Sequence, residues 1–302
     1  LMSRTDIRLA SLLRPYIDGI PLDLASRLLP RSTWLQPGLL THVHLHGAAQ
    51  KRYEGDAVPA RAAHGRVSMT AQLGLIDSLE GTINGLDWRP AGTTWANYYA
   101  ETNYSAAAMA GKRRCLEELL DIVAPAPRTV WDLGANTGAF SRIAAERGAA
   151  TVAWDMDPAA VEKNYREGRA AGERNLLPLV GDLTNPSPDL GWANEERQSL
   201  VHRGPADVAL GLALIHHLAI GNNVPLARIA QFLGRICAWA IVEFVPKSDS
   251  QVQRLLASRE DIFDEYTREG FEARFGERFE IVRTVNVPDS ERYLYLLRTS
   301  KS

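Results

Sequence analysis

The sequence predicts an α/β protein with a doubly wound, mostly parallel sheet, an antiparallel C-terminal hairpin and a mainly helical N-terminal unit. From about residue 126, short apolar and β-branched runs alternate with amphipathic helical stretches, which is typical of parallel strands joined by crossover helices. The last two apolar runs, 279–287 and 292–299, are joined only by PDSE, and this spacing predicts a hairpin. The first 110 residues instead show helical spacing.

The elements follow in order along the chain. Helices of the N-terminal unit are predicted at 7–17, 22–30 and 68–83. The parallel strands are predicted at 129–134, 150–155, 175–182, 206–213 and 238–245. Crossover helices are predicted at 138–148, 158–172 and 224–236. We therefore divide the chain into an N-terminal unit, 1–110, as a lid or substrate region, and a sheet domain, 111–302.

Composition excludes several classes of protein. The chain of 302 residues is 45% hydrophobic, and its 34 Lys and Arg nearly balance 36 Asp and Glu, so general attraction to nucleic acid or an anionic membrane is not favoured. No apolar stretch approaches the roughly 18 residues that span a bilayer. Cys115 and Cys237 form no C-x-x-C pair, which fits a reducing, cytoplasmic location. Because Leu1 comes first, we expect a truncation boundary there, and no signal peptide is apparent.

The stretch VWDLGANTGAF is the first candidate site, because an apolar run ends abruptly in Asp132, Gly134, Asn136 and Gly138. A dinucleotide fingerprint would need a glycine where Asn136 stands, and no Gly-Lys-Ser/Thr follows to make a P-loop. An acid at the strand end would repel pyrophosphate but would suit a cationic amino group or a polar water network. An ordinary turn between strand and helix, with no ligand, is the alternative.

Two more acids end the next two predicted strands. Asp155 closes the second strand in VAWDMD, and Asp182 closes the third in LVGDLTNP. Any one of them could simply cap a helix, and Asp157 before Pro158 has that pattern. Three acids at the carboxyl ends of three successive parallel strands, where open α/β sheets bind ligands, predict a binding site instead.

On Asp132, Gly134 and Gly138 the sequence resembles the class I, Rossmann-like, S-adenosylmethionine-dependent methyltransferases, whose first motif is an acid followed by spaced glycines. The departure is Asn136 at the middle glycine, and asparagine tolerates the left-handed backbone that such a turn needs. The resemblance covers residues 110–302. It implies S-adenosyl-L-methionine as cofactor, S-adenosyl-L-homocysteine as product and no metal.

The resemblance also implies which residues hold the cofactor. Asp155 would take the ribose hydroxyls, with Met156 against the adenine. Asp182 would accept from the adenine amino group, with Leu183 beside it. Lys112 could reach the methionine carboxylate, helped by Tyr104 or Ser105.

The end of the fourth strand is predicted to carry the chemistry, in the sequence ADVALGLALIHHL. His216 or His217 could be the base for a hydroxyl acceptor, or both could merely line the cleft. Glu243, at the end of the fifth strand, could bind an acceptor hydroxyl, pair with Lys247 or orient a histidine. Amino-group methylases typically have Asn/Asp-Pro-Pro and an aromatic at the fourth strand end. That element is missing here, which favours O-methylation.

The triplet His42, His44 and His46 in HVHLH would share one face of a strand, an arrangement that could bind a metal. No carboxylate or cysteine is nearby, so a packing or substrate-facing role is favoured. A second dense stretch, 93–120, is rich in aromatics, which could build core or cover the cofactor.

A more specific resemblance spans most of the chain. It is carried by DLTNP, by IHHLAIGNNVPL and by the side chains of the aromatic stretch, namely Trp95, Tyr98, Tyr99, Asn103, Tyr104 and Ser105. These are similar to a bacterial methyltransferase group that includes nodulation protein NoeA, which implies an acceptor connected with a secreted or surface glycoconjugate. The sequence therefore predicts O-methylation of a small molecule or glycan. The alternatives are an RNA methyltransferase and a non-catalytic cofactor-binding scaffold. Neither a membrane partner nor an oligomeric state is predicted.

Overall fold

The computed structural model describes residues 1–53, 68–90 and 106–300. Two compact units make up the chain, Leu1–Pro90 and Ala91–Ser302. Residues 93–105 of the aromatic stretch, which include Tyr104 and Ser105, lie outside the described residues, so the roles expected there stay predictions. The function of the N-terminal unit as a lid also stays a prediction.

Every secondary-structure element in the described residues of the first unit is a helix, and turns and coil join these helices. Its α-helices are α1 (Leu22–Leu28), α2 (Pro37–Leu39), α3 (His46–Tyr53) and α4 (Met69–Asn84). Two 3-10 helices, Ile7–Leu13 and Arg31–Leu35, and a π-helix, Leu40–Leu45, complete it. The predicted helices at 22–30 and 68–83 are therefore present, and the stretch from residue 7 forms a shorter 3-10 helix.

The prediction of a strand at HVHLH was wrong, because this stretch lies in the π-helix and the start of α3. His44 is buried between two hydroxyls, Ser26 Oγ at 2.7 Å from Nδ1 and Thr33 Oγ1 at 2.8 Å from Nε2. His42 Nε2 instead lies 2.8 Å from Ser78 Oγ. Successive histidines thus point to different surroundings, because a helical backbone turns residues two apart to different sides. Among the described residues, no group of three His, Cys, Asp or Glu is placed to hold a metal ion.

The second unit contains a seven-stranded sheet in the order β3-β2-β1-β4-β5-β7-β6. The strands are β1 (Thr129–Leu133), β2 (Ala150–Asp155), β3 (Leu176–Val180), β4 (Ala206–Gly211), β5 (Cys237–Phe244), β6 (Phe279–Asn286) and β7 (Tyr293–Thr299). The first five pair in parallel, and β7 lies antiparallel between β5 and β6. The predicted fold class is confirmed, including the hairpin.

Helices connect these strands and cover the sheet. They are α5 (Ala106–Ile122), α6 (Ser141–Glu146), α7 (Pro158–Ala171), α8 (Leu200–Arg203), α9 (Leu226–Ile236), α10 (Ser250–Leu256) and α11 (Arg268–Gly276). The helix expected at 138–148 is shorter than predicted, because Gly138 still belongs to the preceding turn, with a φ of 77°. In the described parts of the chain, no helix combines the length and apolar character needed to cross a membrane.

Alternation along the strands builds a core on each face of the sheet. Val130 packs with Leu116 and Leu119 of α5 on one face. Trp131, the next residue of β1, belongs to the core cluster on the other face, which also contains residues of α9 and α11. Because both faces of the sheet are covered, successive residues of the inner strands β1, β4 and β5 are mostly buried, and these strands read as continuous apolar runs.

The strand order also creates the crevice in which a ligand is expected. β1 pairs with β2 on one side and with β4 on the other, so the chain changes direction across the sheet between them. In open α/β sheets, ligands bind outside the carboxyl ends of the strands at such a switch point.

Candidate functional site

A cavity of about 330 Å³ lies at this switch point, bordered by the segments that follow β1, β2, β3 and β4. It brings together residues that are far apart in sequence and were singled out as cofactor ligands. Those that line it are Lys112, Asp132, Gly134, Asn136, Asp155, Met156, Asp182 and Leu183. Gly138 belongs to the same turn as Gly134 and Asn136 but does not line the cavity. Whether these residues bind the expected cofactor stays a prediction.

The turn after β1 has the backbone that its glycines and asparagine allow. Gly134, Asn136 and Gly138 have φ angles of 80°, 51° and 77°. A Cβ on Gly138 would also lie 2.4 Å from the Asn164 side-chain nitrogen. Asn136 therefore takes the left-handed conformation expected of it, because its short polar side chain accepts from the next amide, Thr137 N, at 2.8 Å.

The amides of this turn bind protein groups. Gly134 N and Ala135 N both donate to the Trp154 carbonyl at 2.8 Å, and Asn136 N donates to Asp155 Oδ2 at 2.7 Å. A phosphate-binding turn instead aims its amides at the ligand. This turn thus fastens β1 to β2.

Asp132 is a desolvated acid in the wall of the cavity. Its side chain is buried, and Ser141 Oγ donates to Oδ2 at 2.6 Å. Burial raises the pKa of Asp132 to about 6, although the Ser141 hydrogen bond and the Lys112 charge oppose this. A carboxylate deprived of water gains most from a cation placed beside it, so Asp132 fits a ligand that carries an ammonium group.

Asp155 is held rigidly at the end of β2. Oδ2 accepts from Asn136 N at 2.7 Å and Oδ1 accepts from Asp157 N at 2.8 Å. Burial raises its pKa, and these backbone hydrogen bonds oppose the rise. Because each carboxylate oxygen has two acceptor sites, both oxygens keep capacity for a pair of ligand hydroxyls.

The neighbouring acid is a helix cap, as its sequence pattern indicated. Asp157 Oδ1 accepts from Ala159 N at 2.9 Å, and Pro158 opens α7.

Asp182, two residues after β3, is fixed by Thr184, whose amide and hydroxyl donate to Oδ1 at 2.8 and 2.6 Å. Met156 is 66% exposed and lies with Leu183 on the cavity surface, where it could cover a flat ring.

A buried ion network lies beside the cavity. Lys112 Nζ is 2.5 Å from Glu243 Oε2, and Arg292 Nη1 is 3.5 Å from Glu243 Oε1. Arg292 Nε in turn donates to Asp249 Oδ2 at 2.8 Å. Burial lowers the pKa of Lys112, and the Glu243 charge opposes this. Within this network only Lys112 reaches the cavity wall.

Of the roles left open for Glu243, pairing with Lys247 was wrong. Lys247 Nζ instead lies 2.7 Å from Asp261 Oδ2, outside the buried network. Sequence reasoning also missed Arg292 and Asp249. Both belong to polar segments next to strands, and nothing in such a pattern distinguishes a buried ion pair from a solvated turn.

The two histidines after β4 have different positions. His217 lines the cavity, whereas His216 is 1% exposed and does not. Their ring centroids lie 4.2 Å apart with the ring planes tilted by 37°, and neither ring nitrogen of His216 has a hydrogen-bond partner among the described residues. Burial lowers the pKa of both histidines, and the Arg292 charge adds to this. A neutral imidazole at the cavity wall can accept a proton, so His217 is the histidine with the geometry of a base.

The cavity also has apolar walls that sequence reasoning did not assign. Phe140, Leu214, Leu218 and Leu255 line it. Two of them belong to LALIHHL, so an apolar stretch that runs beyond a predicted strand end was the available signal. Such walls exclude water from the site, which strengthens the polar interactions within it.

Comparison with known proteins gives one curated relative. Over 307 aligned residues the chain is 34% identical to nodulation protein NoeA of Rhizobium meliloti (strain 1021), and the match covers 100% of this chain. The expected resemblance to NoeA is confirmed. The chain spans 63% of the length of that relative. No family model matches the sequence.

Solved structures with low sequence identity align with part of this chain. One is magnesium protoporphyrin IX methyltransferase from Synechocystis PCC 6803 with bound S-adenosylhomocysteine, at 16% identity and a TM-score of 0.45, covering 69% of this chain and 93% of that one. Another is the PH0226 protein from Pyrococcus horikoshii OT3, at 17% identity and a TM-score of 0.49, covering 69% of this chain and 100% of that one.

Proposed function

We propose that this chain is an S-adenosylmethionine-dependent methyltransferase that methylates a hydroxyl group of a small molecule or carbohydrate. The observation that carries the proposal is one cavity at the sheet's switch point that unites three strand-end carboxylates with a histidine. Asp132, Asp155 and Asp182 supply the carboxylates, and His217 supplies the imidazole. An ordinary turn between strand and helix would not need acids from three successive strands to meet.

The residues at hand fit this cofactor along its length. Asp132, raised in pKa by burial, suits the ammonium of the methionine part. Asp155 suits the two ribose hydroxyls, because it is a fixed carboxylate with acceptor capacity on both oxygens. Asp182 suits an exocyclic amino group, and Met156 suits the face of an adenine ring. When bound, the cofactor supplies an electrophilic methyl group on a sulfonium.

His217 is the proposed base. It accepts the proton of the acceptor hydroxyl on a ring nitrogen, while the surrounding walls align the acceptor and exclude water. Glu243, the other candidate base, is less suited because its two oxygens face Lys112 and Arg292. We assign Lys112 to the wall of the cavity, where its ion pair with Glu243 orients it.

Calorimetry with S-adenosylmethionine and S-adenosylhomocysteine tests the cofactor assignment. Asp155→Ala should weaken binding by about 1.5–3 kcal/mol, the range for losing hydrogen bonds to a charged group. Asp121→Ala is the matched control, because Asp121 is 71% exposed and pairs only at the surface with Arg147. Equal affinity of both variants would contradict the ribose assignment.

Acceptor screening tests the reaction class. The purified chain is incubated with labelled cofactor and with glycans, small hydroxyl compounds and RNA. Methyl transfer to a hydroxyl supports the proposal, and transfer to RNA alone would replace it. Tight cofactor binding without transfer to any acceptor would point to a scaffold.

A further inference from the structure

One segment, which follows β4, forms a large part of the cavity lining. This segment comprises residues 214–224, shortly after β4 ends, and contains the π-helix His217–Gly221. Leu214, His217, Leu218, Gly221 and Asn222 all line the cavity. The last carbonyls of a helix have no partners inside it, so the end of this short helix depends on groups from elsewhere.

Arg259 supplies those groups. Its Nη1 donates to the carbonyl oxygens of Ile220 and Gly221, the second at 3.4 Å, and its Nη2 donates to Asn223 Oδ1 at 2.6 Å. A guanidinium presents several donors in one rigid plane, so it can bind three acceptors of one turn together. A positive charge at the carboxyl end of a helix is also favourable.

Hydrogen bonds within the segment also hold its carboxyl-terminal end. Asn222 Nδ2 donates to the His217 carbonyl at 2.8 Å, and Val224 N donates to the Leu218 carbonyl at 3.0 Å. Asn223 has a φ of 56°, the left-handed conformation that completes the turn. The backbone of His217 is therefore tied to the residues that Arg259 holds.

Arg259 comes from a segment that is itself fixed to the end of β5. Asp249 caps α10 by accepting from Gln251 N at 2.9 Å, and it also binds Arg292 at 2.8 Å. Two residues beyond Arg259, Asp261 accepts from Lys247 Nζ at 2.7 Å. The guanidinium thus connects the histidine segment to the loop after α10, which the Lys247–Asp261 ion pair ties to the residues that follow β5.

We infer that Arg259 is a positioning residue for methyl transfer: by holding the carbonyl end of the segment 214–224, it keeps the His217 ring directed at the acceptor. This inference rests on the proposed function. Arg259 does not line the cavity and contacts His217 only through the segment's backbone, so it acts through His217 and does not touch the reacting atoms.

The test compares Arg259→Gln and Arg259→Lys with Arg228→Gln, whose exposed arginine on α9 contacts Gln231 at 3.0 Å. Turnover of Arg259→Gln should fall about a hundred-fold, the scale of a 1 Å misplacement of a catalytic group. Arg259→Lys should recover part of it, because lysine keeps the charge without the fork. Affinity for S-adenosylhomocysteine should change far less than turnover. The acid limb of the pH profile should move up toward 6.5 as His217 gains water.

Hydrogen exchange separates this inference from the proposed function, because it needs no substrate. Amides of residues 214–224 should exchange faster in Arg259→Gln than in Arg228→Gln, and amides of β1 should not. If exchange in this segment is the same in both variants, Arg259 does not hold it and the inference is wrong. Faster exchange in a protein that binds no S-adenosylhomocysteine would show that Arg259 holds the segment and would overturn the proposed function. Faster exchange with unchanged turnover in a protein that methylates would overturn the positioning role.

Discussion

Lys112 Nζ lies 2.5 Å from Glu243 Oε2, and the two side chains are 4% and 0% exposed. The pair joins α5, which precedes the sheet, to the end of β5, an inner strand of the sheet. Two charges removed from water persist only when each is well compensated. Here Arg292 contacts the second oxygen of Glu243, so one carboxylate serves two buried cations.

Glu243→Gln should therefore lower the free energy of unfolding by about 3–5 kcal/mol, because it leaves buried cations without their shared anion. Glu280→Gln is the matched control, since Glu280 on β6 pairs with Arg298 where both side chains are more than half exposed. The control should cost less than about 1 kcal/mol. Urea denaturation measures both, and equal losses would contradict the role given to Glu243.

The sequence indicated the strand-end acids but not this ion network, and the reason is physical. Asp132, Asp155 and Asp182 follow apolar runs whose period fixes where each strand ends, and parallel strands bring those ends together. Lys112 and Glu243 are 131 residues apart, and no local period relates a helix surface to a strand end. Their meeting depends on packing between elements, which a single sequence does not encode locally.

Local backbone explains the other differences. Repeated alternation in HVHLH favoured a strand, but hydroxyl partners for His44 and continuity with α3 produce a helical turn. The choice between His216 and His217 was likewise open, because adjacent residues of an irregular turn can each face the cavity. In the structure His217 lines the cavity and begins a π-helix, and no sequence pattern marks the start of that helix.

Asp132→Asn should stabilise the cofactor-free protein near neutral pH. The folded state raises the pKa of Asp132 from 3.8 to about 6, so it favours the neutral acid over the charged one. The stability gained from that protonation is complete below the unfolded pKa and is lost as pH rises through about 6. Asparagine avoids the cost of burying the charge, which is about 2–3 kcal/mol for a shift of this size.

The stability of Asp132→Asn relative to wild type should thus be higher at pH 7.5 and similar near pH 4. Thermal unfolding of both proteins across this range measures it, with Asp121→Asn as an exposed control. The same substitution should weaken S-adenosylmethionine binding, because an amide cannot neutralise an ammonium group. A variant that is less stable than wild type at pH 7.5 would show that the buried Asp132 carboxylate does not destabilise the folded protein.

The two histidines should respond differently to substitution. His217→Gln should reduce turnover by about a hundred- to ten-thousand-fold, the range for loss of a general base, while leaving affinity for S-adenosylhomocysteine nearly intact. His216→Gln keeps the volume of a buried side chain outside the cavity wall, so its turnover should fall much less. Kinetics at saturating acceptor measure both. If both variants keep wild-type turnover, the histidines only line the cleft.

The pH dependence of turnover should identify the base. Burial, followed by the Arg292 charge, lowers the pKa of His217 from 6.5, since both disfavour the imidazolium. The base is active when neutral, so kcat should stay level through neutral pH and fall only as the pH drops below 6.5. At saturating substrates kcat reports the bound enzyme, which separates this limb from the effect of Asp132 on cofactor affinity. His217→Gln should remove the limb from its residual activity. An acid limb at or above 6.5, or one that persists in His217→Gln, would assign the proton to another group.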